Sequence, residues 1–237
     1  PALRAALGIA GEIGAVLLSL ALYPLGFVFG NPPPWRLRPG ERTVILCHGY
    51  MHNSTAFLLM RYRLKRAGWE NVVAPNFRPL AASVPYFADR LSKTVGLALS
   101  HTGCDKVDLV GHSMGGLVVR YFVERLDGSS SVRTAITLGA PNDGTRMAAL
   151  AILESAEQFR PDSALIADLR KGPGSDTTAR VESIWSDFDS VVLPPENARL
   201  PESYRSTMVR GVGHVALLYS GRVFAELRSM LSENPEG

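Results

Sequence analysis

Cysteine is scarce: Cys47 and Cys104 are the only two in 237 residues. That excludes a disulfide framework, and no pair of Cys or His has the spacing of a zinc site. An excess of one charge sign is missing as well. Lys and Arg total 25 against 22 for Asp and Glu, a formal net charge of +3, too small and too scattered to mark a nucleic-acid partner. Charged residues make up 20% of the chain and apolar residues 46%, a balance that excludes disorder and fibrous repeats and allows one sizeable core. No internal repeat is visible.

The least ordinary stretch is N-terminal. Between Ala5 and Gly30 the one charged residue is Glu12, set among Leu, Ile, Val, Ala, Gly and Phe. From Ile13 to Phe29 run 17 uncharged residues, roughly 25 Å as a helix, just short of the hydrocarbon thickness of a bilayer. Three roles compete for it: a membrane or detergent contact through residues 5–30, the remnant of a secretory signal, or a helix covered by the protein itself or by a second copy in a homodimer. Phe27-Val28-Phe29-Gly30 makes a poor signal-cleavage site, and Pro24 should interrupt any helix there. The expected location is accordingly membrane-associated or secreted/periplasmic. Asn31-Pro32-Pro33-Pro34 opens a stiff linker over 31–42, and the folded domain is expected over 43–237.

From Thr43 onward, short apolar runs alternate with amphipathic ones. VILC, NVVAPNF, KVDLVG, VRTAITLGA, VESIWS and STMVRGV read as strands, and the segments 54–66, 84–99, 113–126 and 215–231 as helices. Doubly apolar strands alternating with helices predict an α/β fold, a mostly parallel sheet of about six strands with helices on both faces. Such sheets bind ligands where the strands end.

After KVDLVG the chain reads Gly111-His112-Ser113-Met114-Gly115-Gly116 and enters an apolar helix. A serine at the apex of a tight strand-to-helix turn needs glycines two before and two after it, because those positions crowd together. With 22 glycines in the chain a bare G-x-S-x-G is weak; its setting between strand and helix carries the weight. A serine hydroxyl needs a general base, usually His, and an acid to orient the imidazole. His112 lies inside the turn, with its side chain expected to point away from the apex. His48 and His52 precede it, and His101 ends a helix at the far edge of the sheet. His214, in Gly211-Val212-Gly213-His214 after the last strand, is at the correct edge. The acid should follow VESIWS, where Asp187 and Asp189 are nearly equivalent by spacing and Glu196 is more distant. For the oxyanion, the backbone N–H groups of Met114 and of Tyr50, after His48-Gly49, are the natural donors.

VILCHGY, LVGHSMGG, ITLGAPNDGT, SIWSDFDSVV and GVGHVALLYS together resemble small bacterial lipases and esterases of the α/β-hydrolase superfamily, over most of the chain from Thr43 to Leu231. The resemblance implies a six-stranded α/β-hydrolase fold with Ser113, Asp189 and His214 as catalytic residues. It also implies Tyr50 and Met114 at the oxyanion hole, Gly111, His112 and Gly115 in the nucleophile elbow, and neither metal nor cofactor. The family's S-x-x-D-x-x-V pattern favours Asp189 over Asp187. Thr145 to Ser175, unusually long for a connection, follows the APNDGT motif and is a candidate lid or acyl-chain wall, or else a helix covering the back of the sheet.

The function expected is a serine carboxylic ester hydrolase whose substrate is an acyl lipid, glyceride or phospholipid. Acyl transfer by the same residues, or a membrane-tethered binding protein without turnover, are the alternatives. Basic Arg61, Arg63, Lys65 and Arg66 read as a solvated helix face. Cys47 and Cys104 should lie at opposite sheet edges, too far apart to pair.

Overall fold

The structure is a computed structural model that describes residues 2–28, 36–79, 81–150, 154–173 and 177–233. Helix α1 (Ala2–Leu22) is followed by a turn at Tyr23-Pro24 and a single helical turn α2 (Leu25–Val28). The domain then runs β1 (Thr43–Cys47), a 3₁₀ turn Ser54–Phe57, α3 (Leu58–Arg66), β2 (Asn71–Val73), α4 (Val84–Thr102), β3 (Val107–His112), α5 (Met114–Arg125) and β4 (Val132–Leu138). Two 3₁₀ segments, Arg146–Leu150 and Glu154–Phe159, precede α6 (Ala164–Leu169). β5 (Arg180–Trp185), β6 (Arg205–Met208), a 3₁₀ turn Val215–Leu218 and α7 (Gly221–Ser232) complete it.

Among the described residues the strands form one six-stranded sheet in the order β2-β1-β3-β4-β5-β6, every pairing parallel. The alternation of strand side chains divides the core in two. Ile45, Leu109, Ala135 and Val181 face α4 and α5, whereas Val44, Leu46, Val110, Ile136 and Ile184 face α3 and α7. β1 and β3 are buried at every position, as aliphatic strands covered on both faces must be.

Several expected boundaries shift for local reasons. β2 stops at Val73, two residues before Pro75, which has no N–H for a ladder. The expected helix over 215–231 is divided: Ser220 accepts from the Val223 N–H as an N-cap and starts α7 afresh. Residues 31–35 of the linker lie outside the described residues. Arg38 and Glu41, within the same stretch, are tied to the domain by Asn71, which accepts from the Arg38 N–H and donates to both their carbonyls. Arg63 is not simply solvated: it donates to the Tyr219 carbonyl and lies over the Phe224 ring. Both cysteines are free. Cys47 pairs in register with Gly111 at the carboxyl end of the sheet, while Cys104 precedes β3 at the amino end.

Helix α1 is neither wholly covered nor wholly bare. Gly8, Ala15 and Ser19 are buried and Glu12 half-buried, one stripe at helical spacing. Leu7, Ile9, Ile13, Leu17 and Leu20 on the remaining surface are each more than half exposed. The covered stripe is fastened by Ser19 Oγ to Tyr219 Oη at 2.8 Å, and just beyond it Asn53 donates to the Tyr23 carbonyl at 2.8 Å.

Candidate active site

Ser113 stands between β3 and α5 with φ 56° and ψ −126°, the strained geometry that a side chain at a sharp strand-to-helix corner must adopt. Its N–H donates to the Leu138 carbonyl at 2.9 Å and its own carbonyl accepts from Gly116, so the strain is held by the sheet on one side and the helix on the other. The flanking glycines are obligatory. A Cβ on Gly111 would strike the Gly115 carbonyl, and one on Gly115 would strike the Cys47 carbonyl of β1. α5 has no side-chain N-cap, so the positive end of its dipole and the N–H of Met114, its first residue, stand next to Ser113.

The second oxyanion candidate follows β1. His48 Nδ1–H donates to the Gly49 carbonyl at 2.9 Å while Nε2 accepts from the Phe77 N–H at 2.9 Å, which fixes the neutral tautomer and the path of the chain into Tyr50. Burial pulls the His48 pKa down to about 4. Among the described residues neither the Tyr50 N–H nor the Met114 N–H donates to a protein acceptor. β1 and β3 are neighbours on either side of the point where the chain reverses its direction across the sheet, the place where open α/β sheets bind ligands.

Asp189 and His214 come from the ends of β5 and β6. Asp189 is buried; its Oδ1 accepts from the N–H groups of Val191 and Val192, both at 2.8 Å, which leaves Oδ2 2.8 Å from His214 Nδ1. Asp187, the alternative by spacing, instead accepts from the Gly211 N–H at 2.7 Å on the exposed side. Glu196 lines a different cavity, beside Arg120 and Arg170. His214 is buried too, yet its Nε2 and the Ser113 hydroxyl make no hydrogen bond among the described residues. Hydrogen bonds of this kind often close only when substrate arrives.

His112 does more than fill the turn. Its Nε2 donates to the His214 carbonyl at 3.0 Å, and its ring lies 4.7 Å from that of His214, centroid to centroid. Burial holds it neutral, with its pKa well below the ordinary histidine value. His52 stacks on His112 at 5.9 Å and is itself lowered to about 4, by burial first and by the proximity of His214 second. His101 sits in the last turn of α4, exposed, on the side where strands begin.

A cavity of about 100 Å³ opens beside Ser113, bordered by Tyr50 and Met114 and walled by Met147, Phe159, Val191 and Val192. The connection divides: its first part, through Phe159, borders the carboxyl edge, with Phe159 edge-on to the Tyr50 ring at 5.8 Å, while α6 buries Ile166 and Leu169 against the α5 face of the sheet, where Arg125 binds Asp168. Residues 151–153 and 174–176 of that connection lie outside the described residues. Thr145 ties it to the loop after Asp189, donating to the Val191 carbonyl and accepting from the Leu193 N–H. Among the described residues no cluster of three or more His, Cys, Asp or Glu side chains is arranged to hold a metal ion. Two contributors escaped sequence reasoning: the hydrogen bond from His112 and the carboxylate of Glu12, which accepts from the N–H groups of Val215 and Ala216.

A parallel six-stranded sheet with a strained serine after its third strand defines an α/β-hydrolase fold, and solved structures agree. The mature lipase BlEst2 of Bacillus licheniformis is similar at a TM-score of 0.73 and 15% identity, over 86% of this chain and 97% of that one. Aspergillus fumigatus lipase B gives 0.70 and 20%, over 82% and 53%. The monoacylglycerol lipase of Paleococcus ferrophilus gives 0.59 and 16%, over 82% and 93%. By sequence, the chain belongs to the family described as "Domain of unknown function (DUF7379)", whose profile matches residues 30–156. That match takes in Tyr50, Ser113 and Met114 and ends before Asp189 and His214.

Proposed function

We propose that the protein is a serine carboxylic ester hydrolase. The observation that carries this is the buried 2.8 Å contact of His214 Nδ1 with Asp189 Oδ2 at the same sheet edge as the strained Ser113. In this reading Asp189 fixes the tautomer with Nδ1–H, leaving Nε2 to take the Ser113 proton as Oγ attacks the acyl carbonyl. The N–H groups of Tyr50 and Met114 stabilise the oxyanion. His214 returns the proton to the leaving alcohol, and water, activated by the same imidazole, releases the acid from the acyl-enzyme. Similarity to lipases and esterases supports the same reaction class.

The substrate class we infer is an acyl lipid. Met147, Phe159, Val191 and Val192 beside Ser113 offer an acyl chain apolar contact, and the bare aliphatic face of α1 suits a lipid surface. Contacts between α1 and the domain run from Gly8 to Ser19, roughly 17 Å of helical rise, and resume beyond the turn at Gly26 of α2. A helix fastened along that length lies on a membrane rather than across it, since crossing would carry the domain loops into hydrocarbon. Flotation with liposomes tests this: the full chain should rise with vesicles, whereas a soluble dimer on gel filtration that ignores vesicles would assign the face to a second copy.

Hydrolysis of p-nitrophenyl esters of graded length, beside a phospholipid and a triglyceride, tests the activity. Ser113→Ala should lower turnover by about 10⁴-fold or more while the fold is kept. Retained turnover would remove the assignment.

A further inference from the structure

His214 occupies a poorly supported stretch of chain. β6 is a four-residue edge strand with no buried position, and the turn Val215–Leu218 that begins just after His214 has no side-chain N-cap of its own. Its free N–H groups are instead met from about two hundred residues away. Glu12 Oε1 accepts from the Val215 N–H and Oε2 from the Ala216 N–H, each at 2.9 Å. The carboxylate thus spends both oxygens on the two residues after the imidazole. On the other side, the His214 carbonyl is held by His112. The fit around Glu12 is close. A Cβ on Gly213 would strike its carboxylate, and one on Gly8, a turn earlier in α1, would meet the Phe188 ring at 2.8 Å, beside Asp189. A carboxylate in the long apolar run of α1 is expensive to bring against a protein unless it is satisfied, and among the described residues its hydrogen bonds are to the His214 loop.

We propose that Glu12 is a positioning residue for the hydrolytic centre, so that α1 is a working part of the site and not a detachable tether. The proposal rests on the reading of His214 as general base. Glu12 touches no reacting atom; it fixes the backbone from which the imidazole projects, and misplacing a catalytic group by about an ångström costs up to 10²-fold in rate.

The test compares Glu12→Gln with wild type on a short, soluble p-nitrophenyl ester, in the full chain and without lipid. Glu12→Gln keeps the shape, loses the charge and turns an NH₂ toward one of the two N–H groups. We expect kcat to fall roughly tenfold with KM within twofold and the thermal midpoint kept. A merely structural role would lower the thermal midpoint without separating kcat from KM. Should Glu12→Gln fold poorly, Gly213→Ala retains Glu12 yet pushes its carboxylate away. It should give the same loss in kcat and add nothing to Glu12→Ala, the non-additivity of a shared contact. An active wild type with kcat of Glu12→Gln inside twofold, or independent and additive losses, would overturn the proposal and leave the hydrolase intact. A wild type that neither hydrolyses esters nor labels with a fluorophosphonate would remove both.

Discussion

Ser113 and His214 are supported in opposite ways. The serine follows β3, buried at all six positions and flanked by β1 and β4, and its strained backbone is locked by Leu138 and Gly116 within the core. The histidine follows β6, which has a single neighbour, and depends on side chains from three distant places: Asp189, His112 and Glu12. One half of the site is made by packing that any mutation of the core would disturb. The other half is made by a few polar contacts onto irregular backbone, where low local stability is the default. The second half is therefore the place where substitutions should change turnover without unfolding the domain.

The largest expected effect on that half is at Asp189. Asp189→Asn removes the charge facing His214 and favours the wrong tautomer, so kcat/KM should fall by about 10³–10⁴-fold while the thermal midpoint moves little; a loss under tenfold would break the comparison. The histidines of the other half are sensitive to acid instead. His48 titrates near 4 in the fold because burial disfavours its cation, against about 6.5 when unfolded. Between those values the unfolded chain binds more protons, so the stability is fully present above pH 6.5 and is lost as pH falls toward 4. For His48 alone the loss is about 3 kcal/mol, with His52 shifted in the same sense. Denaturant melts across that window check it, and a midpoint independent of pH would contradict it. The smallest effect should be Asp187→Asn. Its contact to Gly211 N–H survives in the amide, so kcat/KM should stay within about threefold; a loss as large as that of Asp189→Asn would reverse the assignment of the acid.

How much of this was legible in sequence follows the same division. The parallel sheet and the turn at Ser113 were readable because apolar strands and paired glycines are local signals, set by sterics within a few residues. Asp187 and Asp189 were not separable by spacing, since they differ in which way the loop turns them and the N–H groups of Val191 and Val192 decide that. The break at Ser220 was hidden because Val, Ala, Leu and Tyr before it continue a helical pattern that one capping hydroxyl overrides. Glu12 left one trace, a solitary charge in a long apolar run, and nothing local could say that its partners stand at Val215 and Ala216.

The most direct measurement is covalent labelling of the full chain with a fluorophosphonate, followed by peptide mapping. One adduct per chain is expected, on Ser113, formed at a rate that falls sharply in Asp189→Asn. An unlabelled wild type, or an adduct on another residue, would contradict it.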